Sequence, residues 1–218
     1  FDGVRDLLIS SNFPYNNNFI DFENSSWLYS NSSTNSFPIF EFKQKNFLQE
    51  DMIDLGENAT PCFFDYDGDN DLDLFLTQRG KYFSFGGYYS SVYLYENTGN
   101  RTTPIFELKN EDFLSLSDLK YNDLQLQFAD LNADGTQDLI VIGKPTNAFS
   151  PVILYALNKD SKKLIFGDNQ LTQLSFPALN FENHLFYDID SDGFSDLLVG
   201  KSSGNLAYHR NSRNATSL

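Results

Sequence analysis

The side chains with most capacity for chemistry in this sequence are aspartates, and they fall in a repeated pattern. Asp65-Tyr-Asp-Gly-Asp-Asn-Asp-Leu-Asp73, Asp130-Leu-Asn-Ala-Asp-Gly-Thr-Gln-Asp138 and Asp188-Ile-Asp-Ser-Asp-Gly-Phe-Ser-Asp196 align without gaps as D-x-[DN]-x-D-[GN]-x-x-D. Asp2-Gly3-Val4-Arg5-Asp6 supplies positions 5 to 9 of a fourth copy. Position 5 (Asp2, Asp69, Asp134, Asp192) recurs at steps of 67, 65 and 58 residues. Oxygens on alternate residues of a tight loop suit a hard dication such as calcium, which takes six to eight of them. Side chains at positions 1, 3, 5 and 9 can ligate, and so can the backbone carbonyl of position 7. Position 6 needs a positive φ, which Gly3, Gly135 and Gly193 adopt without a steric penalty and Asn70 tolerates. With no cation, three or four carboxylates so close would repel one another. The loops hold 14 of the 30 acidic residues, and four calcium ions would bring the net charge from −15 to −7. An EF-hand is excluded, because position 12 is Leu76, Val141 or Val199 where that motif requires Glu. An acidic turn that is simply solvated is the plain alternative, and the motif's length, repetition and punctuation weigh against it.

The remaining composition narrows the function classes. A net charge of −15 repels nucleic acid and anionic lipid, so no nucleic-acid partner is expected. No apolar run is long enough to cross a membrane as a helix, so no membrane insertion is expected. The single cysteine, Cys62, forms no disulfide within the chain and reads as a small buried thiol. His184 and His209 are the only histidines, and no nucleophile elbow, zinc-protease motif or phosphate loop occurs. Paired carboxylates could hydrolyse glycosides, but every conspicuous pair already belongs to an aspartate loop. The expectation is a chain that is not an enzyme. Trp27 and the aromatic stretch Tyr82–Tyr89 are either a ligand-binding surface or packing against a neighbouring element. Ser11–Ser36 reads as a polar insertion, and five N-x-S/T sequons (Asn24, Asn31, Asn58, Asn100, Asn214) follow from the Asn-rich composition.

The segments around the loops must position them, and they repeat as well. Phe63, Phe128 or Phe186 stands two residues before each complete loop. An apolar run follows each one: Leu7-Leu8-Ile9, Leu74-Phe75-Leu76, Leu139-Ile140-Val141-Ile142 and Leu197-Leu198-Val199. Next comes a strand end closing on asparagine, as at Tyr29-Ser30-Asn31, Tyr95-Glu96-Asn97 and Tyr208-His209-Arg210-Asn211. Pro38-Ile39-Phe40-Glu41 is then echoed by Pro104-Ile105-Phe106-Glu107 and more loosely by Leu164-Ile165-Phe166. These short aromatic and β-branched segments, divided by Gly, Asn, Pro and Ser, read as about four strands per unit. Glu50–Leu55 is the one place compatible with a turn of helix. The expected fold class is all-β: propeller blades of four antiparallel strands, with about three and a half blades in residues 1–218. The units run approximately 1–64, 65–129, 130–187 and 188–218, the first and last incomplete. A β-sandwich and a solenoid are the alternatives.

An Asp loop followed by Asp-Leu and two apolar residues, in units of this length, resembles the FG-GAP/VCBS repeat family. The resemblance implies a propeller with calcium in the hairpin between the first two strands of each blade, as in integrin α heads. The literal Gly-Ala-Pro signature is missing. Tyr95-Glu-Asn-Thr-Gly-Asn-Arg-Thr-Thr-Pro-Ile-Phe106 is similar to repeats of exported Bacteroidetes proteins, many of them cargo of the type IX secretion route. By the family's pattern the side-chain ligands are Asp65, Asp67, Asp69 and Asp73; Asp130, Asn132, Asp134 and Asp138; and Asp188, Asp190, Asp192 and Asp196. The carbonyls of Asp71, Thr136 and Phe194 complete three sites, and Asp2 and Asp6 belong to a truncated fourth. Asn132 brings one charge fewer, so the site at 130–138 is expected to be the weakest of the three. The loop at 65–73 departs from the others, with Gly68 at position 4 and Asn70 at position 6. The resemblance implies an extracellular or cell-surface binding, adhesion or assembly module for protein or glycan partners. The remaining blades would come from the same polypeptide or a partner chain. An accessory carbohydrate-binding module of a secreted polysaccharide-degrading enzyme is the alternative.

Overall fold

A computed structural model describes residues 3–10, 26–47, 53, 55, 57–82, 87–161, 163–165 and 171–211. It divides into two compact units, 1–55 and 56–218. In the first, β1 (Leu7–Ser10), β2 (Ser26–Asn31) and β3 (Phe40–Gln44) form one antiparallel sheet in sequence order. Trp27 and Tyr29 both meet Phe42 edge-on, with ring centroids 6.3 and 5.4 Å apart. The helical turn expected at Glu50–Leu55 falls outside the described residues, apart from Ile53 and Leu55.

In the second unit, β4 (Thr60–Phe64) and β5 (Asp73–Thr77) flank the first complete loop. A two-stranded ribbon, β6 (Lys81–Tyr82) with β7 (Tyr88–Tyr89), precedes β8 (Val92–Asn97) and β9 (Phe106–Asn110), and the main sheet runs β4-β5-β8-β9. After a short 3-10 segment at Phe113–Leu119 come β10 (Tyr121–Ala129), β11 (Asp138–Pro145), β12 (Val152–Ala156) and β13 (Thr172–Gln173), paired in that order. The last sheet is β14 (Asn183–Tyr187), β15 (Asp196–Gly200) and β16 (Leu206–His209). The chain is thus all-β, built of antiparallel sheets of three or four strands in series, as in the blades of a propeller. Each main sheet of the second unit begins with the strand before its loop, so the repeat counted from Asp65 takes three strands from one main sheet and one from the next.

Period-two alternation explains how the sheets stack. On β11, Leu139 and Val141 point into a core shared with Phe75, Val92, Leu94, Phe113 and Leu126. Ile140 and Ile142 point the other way, into a core with Ile153, Tyr155, Phe186, Leu197 and Val199. A strand buried on both faces must be apolar at every position, which accounts for the unbroken Leu-Ile-Val-Ile run. The phenylalanine two residues before each loop marks the sheet-to-sheet contact: Phe128 stacks on Phe64 at 4.2 Å and Phe186 is buried. Phe63, at the same position, is half exposed and lies 6.2 Å from Phe106. Cys62 is half-buried, and burial pushes its thiol up to about 11, which leaves it unreactive at neutral pH.

Ile39, Ile105 and Ile165 perform one task. Each carbonyl accepts the N–H of the residue after the strand-ending asparagine: Ser32, Thr98 and Lys159. Strands follow at Phe40 and Phe106. The strand expected from Phe166 lies outside the described residues, and the pairing with β12 is made by Thr172–Gln173.

Candidate metal centres

All three complete loops close hairpins between the first two strands of a sheet, and their hydrogen bonds are nearly superimposable. The position-1 carboxylate accepts the N–H of position 6: Asn70 to Asp65 Oδ2 at 3.0 Å, Gly135 to Asp130 Oδ2 at 2.8 Å and Gly193 to Asp188 Oδ2 at 2.9 Å. The position-5 carboxylate accepts from position 7: Asp71 to Asp69, Thr136 to Asp134 and Phe194 to Asp192, at 3.0, 2.9 and 3.1 Å. Two residues in every loop have positive φ. Position 6 is Asn70, Gly135 or Gly193, and position 4 is Gly68, Ala133 or Ser191. The loop at 65–73 is therefore no departure: it places its glycine at the other left-handed position.

Position 9 does different work. Asp73, Asp138 and Asp196 are fully buried. Each Oδ2 accepts the N–H of position 2 (Tyr66, Leu131, Ile189), and each Oδ1 accepts the N–H of Asn97, Asn158 or Asn211 at 2.8–2.9 Å. Asp6 accepts the N–H of Asn31 in the same way, at 2.9 Å, whereas Asp2 lies outside the described residues. The asparagine then organises the following turn. Asn97 Oδ1 accepts from Gly99 and Ile105, Asn31 Oδ1 from Ser33 and Ile39, and Asn158 Oδ1 from Lys159 and Ile165. The recurring asparagine is thus a structural partner of the loop aspartate. Asn158 belongs to the set through Tyr155-Ala-Leu-Asn158, which has the spacing of Tyr208–Asn211.

The loops differ in how close their carboxylates come. One oxygen each from Asp65, Asp67 and Asp73 lies within 4.8 Å of the others, and the same holds for Asp188, Asp190 and Asp196. In loop 130–138 no three carboxylates gather so tightly among the described residues. Asn132 stands at position 3 and donates to Asp134 Oδ2 at 2.9 Å, while the Thr136 hydroxyl donates to Asp134 Oδ1. These donors hold Asp134 below the usual carboxylate range. Burial pushes Asp138 up to about 6, and also raises Asp73. Asp71 is raised too, by burial first and by Asp69 next, and its buried Oδ1 has no hydrogen-bond partner. In loop 188–196, Arg210 pairs with Asp190 at 2.6 Å and Asp192 at 2.9 Å. Hard oxygen donors, buried carboxylates held against their preference for water and an unpartnered carboxylate oxygen all fit a calcium-sized dication.

His209 lies half-buried, 4.9 Å from the Phe176 ring. His184 is buried within β14. Of the aromatic stretch Tyr82–Tyr89, residues 83–86 lie outside the described residues.

These loops, sheets and spacings define an aspartate-loop β-repeat module. Residues 65–141 match the model of the FG-GAP-like repeat, a stretch that runs from the first aspartate of one loop through the whole of the next. This stretch is a repeat of the FG-GAP type. No curated protein matches the chain. No helix among the described residues is long and apolar enough to cross a membrane.

Proposed function

We propose that this chain is an extracellular, non-catalytic binding module whose β-hairpins are stapled by calcium and whose partner is a protein or glycan at a cell surface. The observation that carries the reading is the pair of carboxylate triads, Asp65/Asp67/Asp73 and Asp188/Asp190/Asp196. The hairpin setting of the first triad, inside the stretch that matches the FG-GAP-like repeat, supports it. Calcium fills these two loops ahead of 130–138, where Asn132 replaces a carboxylate and Asp134 is already engaged by side-chain donors. The ion closes a hairpin from inside, as a disulfide would.

Melting in calcium and in EDTA, with metal content measured on the same sample, tests this. A ligand at 100 times its Kd adds about 2.7 kcal/mol per site, and for a domain of this size each kcal/mol shifts Tm by roughly 2–4 °C. The expected loss in EDTA is therefore about 5–10 °C per occupied loop. Equal melting curves together with no bound calcium would overturn the reading.

A further inference from the structure

The strand ends remote from the aspartate loops enclose a polar pocket of about 490 Å³. It lies where β10 begins, β11 ends and β14 begins, about 20 Å along β11 from Asp138 at 3.3 Å per residue. That volume falls within the range of small-molecule sites. One wall is pinned in an unusual conformation. Asp123 sits at φ 55° in the irregular stretch of β10 between Asn122 and Gln125. Its N–H donates to the Arg79 carbonyl at 3.0 Å, and its Oδ1 accepts from Asn58, itself at φ 57°. Arg79 is held in turn by Glu57 at 3.0 Å. The opposite wall is His184, whose buried Nε2 has no hydrogen-bond partner and lies 3.9 Å from the buried Glu182 carboxylate. The Gln127 amide reaches across from β10 to fix this strand, donating to the His184 carbonyl and accepting the Phe186 N–H.

The rim is stranger than the walls. Phe181 is 89% exposed at φ 64°, and Phe149 on the neighbouring loop is 92% exposed. The Asn180 amide joins the two loops by donating to the Phe149 carbonyl at 2.7 Å. A left-handed conformation is strained for a bulky L-residue, and an exposed ring returns none of that cost through burial. Strain without a packing return marks positions kept for contact with something else.

The chemistry of the lining indicates what that is. Arg79 and Lys144 balance Asp123 and Glu182, and burial holds His184 below the usual histidine range, so the pocket carries no net formal charge at neutral pH. Gln125 and Asn183 add amides that both donate and accept. A balanced mixture of donors and acceptors under an exposed aromatic face suits a ligand with hydroxyls on its edges and C–H groups on its faces. We propose that this pocket binds a neutral oligosaccharide, with Phe181 stacked on a sugar ring and Asp123, Gln125 and Asn183 taking its hydroxyls. The proposal deepens the reading of the chain as a binding module and needs nothing from the metal loops.

The test is titration calorimetry of the whole chain in calcium with N-acetylchitotriose, mannotriose, laminaritetraose and xylotetraose, and with tetragalacturonate as the anionic control. At least one neutral sugar is expected to bind, and both Phe181→Ala and Asn183→Ala should weaken it by about tenfold or more. Phe181→Gly should weaken binding at least as much while leaving Tm level or higher, because glycine relieves the backbone strain. The proposal falls if no neutral sugar binds at millimolar concentration, if binding survives these substitutions, or if only tetragalacturonate binds. Such a failure alongside an EDTA-sensitive melt would remove the pocket and leave the calcium reading standing.

Discussion

Asn97 shows how much one buried side chain does in this fold. Its N–H is held by Asp73, and its Oδ1 takes the N–H groups of Gly99 and Ile105, so a loop aspartate and a distant turn are joined through one residue. Asn97→Ala leaves two backbone donors unpaired, at about 1–3 kcal/mol for each one kept from water. The expected loss is roughly 2–6 kcal/mol, read from the shift of a urea midpoint at unchanged slope. Asp138 gives a second residue-scale prediction. Its folded pKa, about 6, stands above the ordinary carboxylate value. A raised pKa of this kind stabilises the metal-free fold fully below the unfolded value, and the contribution is lost as pH rises through about 6. Calcium requires the ionised form, so its effect has the opposite sign. The part of the Tm gain that comes from filling loop 130–138 is expected to be largest above about pH 6 and to shrink as pH falls through that value. A carbon-detected NMR titration should find Asp138 titrating near 6 in EDTA and far lower in calcium.

At the scale of elements, β11 is the hinge of the packing, since its two faces serve two different cores. Ile140 is fully buried on one of them. Ile140→Ala is expected to cost about 2–5 kcal/mol, measurable in the same urea titration. The sequence makes β11 legible because a doubly covered strand is apolar at every position, and it makes the loops legible because their aspartates recur at a fixed spacing. Other features are hidden for definite reasons. The left-handed turn at position 4 is filled by Gly68, Ala133 and Ser191, three residue types with no shared signal. The partnership of the ninth aspartate with the strand-ending asparagine spans 15 to 25 residues, so only the fold brings the two together. The pocket beyond the opposite strand ends is assembled from loops of different repeats, and nothing in one repeat announces it. The ribbon β6–β7 interrupts one sheet, with no counterpart in the next among the described residues.

For the molecule as a whole, both cores lie within residues 56–218. Expressed alone, this portion is expected to melt cooperatively near the temperature of the full chain and to retain its calcium response; near-ultraviolet circular dichroism with and without EDTA checks both. Within it, each core is shared by two successive sheets, and β11 supplies one strand to both. A chain built this way keeps its accounts between neighbours: its stability is a sum over sheets and over the seams that join them. Gaining or losing one whole repeat therefore creates no new kind of seam, whereas gaining or losing part of a repeat breaks one. Evolution can lengthen, shorten or diversify such a protein in steps of one repeat, and each step carries its own aspartate loop with it.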